Sequence, residues 1–199
     1  MTAAFAQVSP LSLFVSPLFA VDMDARERAA VAAAVTGLPA GQDLAQHPAL
    51  ASVTAQIEAA AEQLLGELKS VQRGPRVSRL WIESAVPGVA GQLLLHPNAY
   101  LGGLYRLAGE APESVTFQDP RPQARLLQAP LEAPTPLTAQ EQTAPLPAGR
   151  LLLFPAFLLH QPGPASAPRQ LLRFAVTFRD FVASMSPPRW TGMTADRED

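Results

Sequence analysis

The sequence predicts an α+β chain folded as one domain, with helices first and then short strands closing into a sandwich, jelly roll or barrel. The first observation behind this is order: helical periodicity is confined to residues 22–71, and beyond Arg76 turn residues cut the chain into short strand-like runs. The second is the number of those runs, seven or eight at short spacing, which is the pattern of a two-sheet or closed β architecture. The third is size, because 199 residues with 48% apolar content can bury a core without cross-links. The predicted organisation is an N-terminal strand and helices over 1–75, a strand core over 76–182 with a proline-rich loop at 119–147, and a tail at 183–199.

Taken in order, the apolar opening is broken by Pro10 and Pro17 and preceded by no basic residue, so it reads as an edge strand, Ser12 to Val21. It is neither a membrane span nor a secretion signal, and the expected location is the cytoplasm. Asp22 or Asp24 can cap a helix ending near Thr36, where Gly37 and Pro39 stop it. A second helix should run from Pro48 to about Val71, with Leu50, Val53, Ile57, Ala60, Leu64 and Leu68 on one stripe. His47, just before it, reads as a surface or capping residue. Strands are expected near Val77–Ser84, Gly91–His96, Tyr100–Leu107, Ser114–Phe117, Arg125–Gln128, Arg150–Phe154 and Leu171–Phe178. The proline-rich 119–147 is too long and irregular for an ordinary connection and reads as a lid, a binding loop or disorder.

Composition removes several function classes. A net charge of −2 gives no basic excess for nucleic acid or an anionic membrane. With no cysteine, disulfides, thiolate metal sites and cysteine nucleophiles are all excluded, and any metal must be held by histidine, carboxylate or amide groups. Nucleophile-elbow, phosphate-loop and dinucleotide fingerprints are missing too.

Chemistry concentrates between Leu146 and Asp180. The turn signal Pro147-Ala148-Gly149 precedes a continuous apolar strand, and His160 follows it. In the last strand Leu172, Phe174, Val176 and Phe178 face one way, and Leu171, Arg173, Ala175 and Thr177 the other. A long cation among small neighbours, together with a histidine at a strand end, could hold a metal and an anion side by side. The structural alternative is a packed histidine and a solvated arginine.

The motifs from Trp81 to Asp180 resemble a bacterial family of 2-oxoglutarate/Fe(II) oxygenases with a double-stranded β-helix (jelly-roll) fold. Trp81 and Gly88, His96-Pro97, Gly103 and Tyr105, Asp119-Pro120-Arg121, Gly149, Phe154-Pro155, His160 and Arg173 match its pattern in order and spacing. The resemblance implies Fe(II) and 2-oxoglutarate as cofactors, with His96 and His160 on the metal. It implies Arg173 as the clamp for the distal carboxylate of 2-oxoglutarate, with Tyr105 beside the cosubstrate. Such iron takes two histidines and a carboxylate, leaving positions for cosubstrate and oxygen, and a planar guanidinium binds a carboxylate bidentately.

The departures fall in the same motifs. Leu94 stands where the first histidine of His-x-His belongs, Ala175 replaces the serine after the arginine, and Gly91 and Gly102 replace polar residues. Asn98 is the candidate replacement ligand, with Gln92, Asp119 and Glu83 as other donors within reach. Two functions follow: an Fe(II)- and 2-oxoglutarate-dependent hydroxylase with an incomplete metal triad, or an inactive jelly-roll binding domain descended from one. A cupin-like enzyme using another divalent metal ranks behind both, because it leaves Arg173 unexplained. The expected partner is a small-molecule or protein substrate of undefined class, with a homodimer left open.

Overall fold

The computed structural model describes residues 15–109, 112–126, 130–133, 135, 138–167 and 169–178. Ordered along the chain are β1 (Phe19–Asp22), α1 (Ala25–Val35), a 3-10 turn (Pro48–Leu50), α2 (Ala51–Glu67), β2 (Pro75–Ala85), β3 (Leu101–Arg106), β4 (Ser114–Gln118), α3 (Pro122–Leu126), β5 (Glu141–Pro145), β6 (Arg150–Pro155), β7 (His160–Pro162) and β8 (Arg169–Phe178). Helices precede most of the strands, as the α+β reading expects.

Local chemistry sets the helices. Asp24 caps α1 and forms a capping box with Glu27, each side chain satisfying a backbone N–H of the other's end. His47 caps the 3-10 turn, its Nδ1 accepting from the Ala49 N–H at 3.3 Å. On α2 the residues Val53, Ile57, Ala61, Leu64 and Leu65 are buried, and the regular helix begins and ends a few residues inside the expected 48–71.

The strands form two antiparallel sheets, one of five strands in the order β1-β6-β3-β8-β2 and one of three in the order β5-β4-β7. From β3 onward the chain passes back and forth between them, so sheet neighbours lie far apart in sequence. Leu94 and His160 add an isolated bridge at the β7 edge, which is all that is realised of the expected strand over 91–96. At the turn before β6 the Arg150 N–H donates to the Pro147 carbonyl, and Gly149 takes φ +85°, a conformation glycine adopts without strain.

The large sheet has two unlike faces. One packs on α1 and α2 through Leu101, Tyr105, Leu153, Leu172, Phe174 and Val176. The other meets the small sheet through Leu104, Leu152, Phe154 and Leu171, against Val115 and Phe117.

Three further expectations need correcting. Arg125 lies in the short helix α3, not in a strand, and residues 127–129 fall outside the described set. Strand β1 starts only at Phe19, after Pro17, while residues 12–14 fall outside the described set. The proline-rich segment holds a five-residue strand, β5, that its composition conceals. Among the described residues no helix is long and apolar enough to cross a membrane.

Candidate functional site

Gly102 and Leu104 of β3, Phe154 of β6 and Arg173 and Ala175 of β8 line the space between the sheets, with His160 of β7 opposite. His96 enters from the segment before β3, its N–H bonded to the Ala156 carbonyl at 3.1 Å. The two imidazoles meet there, ring centroids 5.1 Å apart and planes inclined by 16°. Aromatic rings wall them in: Trp81 lies 5.8 Å from His96, and Phe154 and Phe117 lie 4.6 and 6.0 Å from His160. The space exists because position 102 is glycine; a Cβ there would stand 2.2 Å from His96 Cδ2.

Both imidazoles are kept neutral. Burial pushes His96 down to about 3, helped by the repulsion a protonated His96 would meet from a protonated His160 and from Arg173. Burial likewise lowers His160 to about 4, against a raising effect of the Leu158 carbonyl. That carbonyl, 3.0 Å from His160 Nδ1, can only accept, so the proton resides on Nδ1 and the Nε2 lone pair faces the interior. The Nε2 atoms of both histidines are buried and have no partner. Buried polar atoms in native proteins are nearly always satisfied, and these two nitrogens are chemically able to accept from or coordinate a further group.

Arg173 points inward, as strand alternation predicts, and is wholly enclosed. Its Nη2 donates to the Gln92 carbonyl at 2.9 Å. Its Nε forms an ion pair with Oε2 of Glu83 at 2.6 Å, and Nη1 has no partner. A second buried ion cluster, which sequence reasoning missed, lies nearby: Glu113 is shared by Arg169 at 3.0 Å and Arg106 at 3.5 Å.

The sequence-derived candidates therefore divide. His96, His160 and Arg173 come together between the sheets. Asn98 differs from them: it is exposed, at a turn with φ +60°, whereas both imidazoles are buried. Tyr105 is also corrected. It sits in the helix-facing cluster, on the face of β3 opposite to Gly102 and Leu104, where alternation must put it. Asp119 pairs with Arg121 at 2.6 Å on the wall of a separate cavity of about 790 Å³. That cavity is lined by Phe117 and Leu158 and adjoins the histidine site without including either imidazole.

The donor set can be tested against Fe(II). Two imidazoles bound side by side on one ion, with metal–nitrogen bonds of about 2.1 Å, would have centroids roughly 4.5–5 Å apart, close to the 5.1 Å seen. The third position is not met. Leu94 pairs with His160 through two backbone hydrogen bonds of 3.0 and 2.9 Å. Directly opposed residues of such a pair, and His96 two positions on, share one face. Among the described residues no cluster of three His, Asp or Glu forms. Two ligands fit the ion and the complete triad does not.

The fold itself is that of the 2-oxoglutarate/Fe(II) oxygenases. No family model and no curated protein sequence matches the chain, so the likeness rests on solved structures. The chain is similar to SnoN, a non-heme alpha-ketoglutarate-dependent epimerase from nogalamycin biosynthesis, with TM-score 0.55 and 19% identity over 92% of this chain and 90% of that one. It is similar to a prolyl-4-hydroxylase of Pseudomonas putida (TM-score 0.55, 15% identity, 81% and 85% covered). It is also similar to HygX of Streptomyces hygroscopicus, crystallised with nickel and 2-oxoglutarate (TM-score 0.52, 14% identity, 82% and 83% covered).

Proposed function

We propose that this chain is a binding domain built on the oxygenase fold, a jelly roll whose interior accepts a small ligand but lacks the metal triad for oxidation. The observation that carries this reading is Leu94, bridged to His160 where a third ligand would face the two imidazoles. A leucine donates nothing to a metal. Loss of an outer partner of a ligand already costs about 10–100-fold in affinity, and loss of a ligand itself costs more. The repeated return of the chain between two sheets from β3 to β8 supports the double-stranded β-helix reading of the architecture.

Metal analysis of the purified protein, followed by anaerobic titration with Fe(II) and 2-oxoglutarate, tests it. The expected result is no stoichiometric metal and no visible charge-transfer band, with Leu94→His gaining metal by more than roughly 100-fold in affinity. A stoichiometric metal in the unmodified protein overturns the reading.

A second reading has its own observation, the two buried and unpartnered Nε2 atoms. It is an Fe(II)- and 2-oxoglutarate-dependent oxygenase of the hydroxylase type, its substrate undefined. His96 and His160 would hold the metal and Arg173 the distal carboxylate of 2-oxoglutarate. A charge-transfer band in the same titration selects it.

A further inference from the structure

One carboxylate in the interior is unaccounted for by the motifs. Glu83 stands on the face of β2 that carries Trp81, and Trp81 pairs with Arg173 across the ladder. The Glu83 side chain is only 14% exposed, and its Oε2 lies 2.6 Å from Nε of a guanidinium with no solvent exposure. Its second oxygen, Oε1, is buried without a partner. The carboxylate fits because position 91 is glycine: a Cβ there would lie 2.8 Å from Glu83 Oε1. The neighbouring Arg169 is already engaged by Glu113 at 3.0 Å, and both imidazoles are uncharged at neutral pH.

A guanidinium offers one charge and one planar fork, and here one edge of the fork already faces an acid from the same chain. A tethered group competes at an effective concentration that free ligands reach only in the millimolar range or above. We propose that Glu83 is a built-in carboxylate seated in the anion site of Arg173, so that the pocket excludes dicarboxylates and takes a ligand that brings no carboxylate to this guanidinium. This deepens the binding reading above and involves no metal.

The test uses metal-free full-length protein in chelator, with 2-oxoglutarate and succinate as probes in calorimetry. Glu83→Gln is expected to bind a dicarboxylate at least about tenfold more tightly than the unmodified chain, since the tethered competitor is gone. Adding Arg173→Gln to that variant should abolish the gain. Equal affinity in the unmodified chain and the folded Glu83→Gln variant overturns the proposal. A second arm covers a variant too unstable to isolate. Glu83→Ala opens the seat, so acetate should raise its thermal midpoint, or its refolding yield, above chloride at equal ionic strength. The unmodified chain and Glu83→Ala/Arg173→Ala should not respond, and an absence of acetate rescue in Glu83→Ala overturns the proposal. Metal found in the unmodified protein would overturn the binding reading alone, because these measurements are made without metal.

Discussion

Strand β8 presents two different environments within one residue of each other. Toward the helices, Leu172, Phe174 and Val176 enter a cluster of apolar side chains in which the Tyr105 hydroxyl is the polar exception. Toward the small sheet, Arg169, Arg173 and Ala175 face histidines, glutamates and unpartnered polar atoms. The first face obtains stability from area: each fully buried side chain there contributes about 1.5–3 kcal/mol. The second spends some of that stability on holding charges out of water, a cost only partly offset by their pairing. Apolar packing and buried polar chemistry are thus separated onto opposite sides of one sheet, and mutations on each side should fail differently.

The largest effect is expected on the helix side. Phe174→Ala should lower unfolding free energy by about 3–5 kcal/mol in chemical denaturation and leave ligand binding by the folded fraction unchanged. On the inner side, Arg173→Met strands the Glu83 carboxylate, and the loss should fall toward the lower end of roughly 3–5 kcal/mol because that carboxylate retains some solvent. Combining it with Glu83→Gln should recover most of the loss, which an apolar truncation on the helix side cannot do. Gly102→Ala drives a Cβ to within 2.2 Å of His96 and should cost about 1–3 kcal/mol by overpacking, displacing the imidazole from His160; loss of the His96 and His160 proximity signals in NMR checks this.

The most gradual effect is the pH response. Both histidines titrate near 6.5 when unfolded but near 3 and 4 when folded. Between those limits the unfolded chain binds protons that the native one does not. Stability is therefore complete above about pH 6.5 and falls as pH drops toward 4, by about 1.4 kcal/mol per pH unit for each imidazole. Denaturation series across this window should halve their slope in His96→Asn. An unchanged slope would mean that the two faces differ less than burial implies.

How much of this could be read beforehand follows the same division. The helix side was legible because it is repetitive: Val53, Ile57 and Leu64 recur at helical spacing, an aspartate at 22 or 24 offers a cap, and β8 alternates. Alternation also turned Arg173 inward. Tyr105 was misassigned because its motif position was trusted over its parity with Gly102 and Leu104, which face the interior. Asn98 was misplaced because spacing along the chain says nothing of a turn that takes it outside. Strands β5 and β7 left little trace, being polar or proline-bearing segments whose pairing is imposed by neighbours. The contact between Glu83 and Arg173 spans most of the strand core, a distance over which no local pattern carries information.

The position of β8 has a consequence in time. It joins β3 to the edge strand β2 in the large sheet, yet among the described strands it leaves the ribosome last. Until then β2 and β3 must wait with bare edges, and β1 waits for a partner more than a hundred residues downstream. Closure of such distant pairings is slow, and unpaired edges of this kind recruit other chains. A chain ending before Arg169 should therefore be digested by protease at rates typical of unfolded polypeptide.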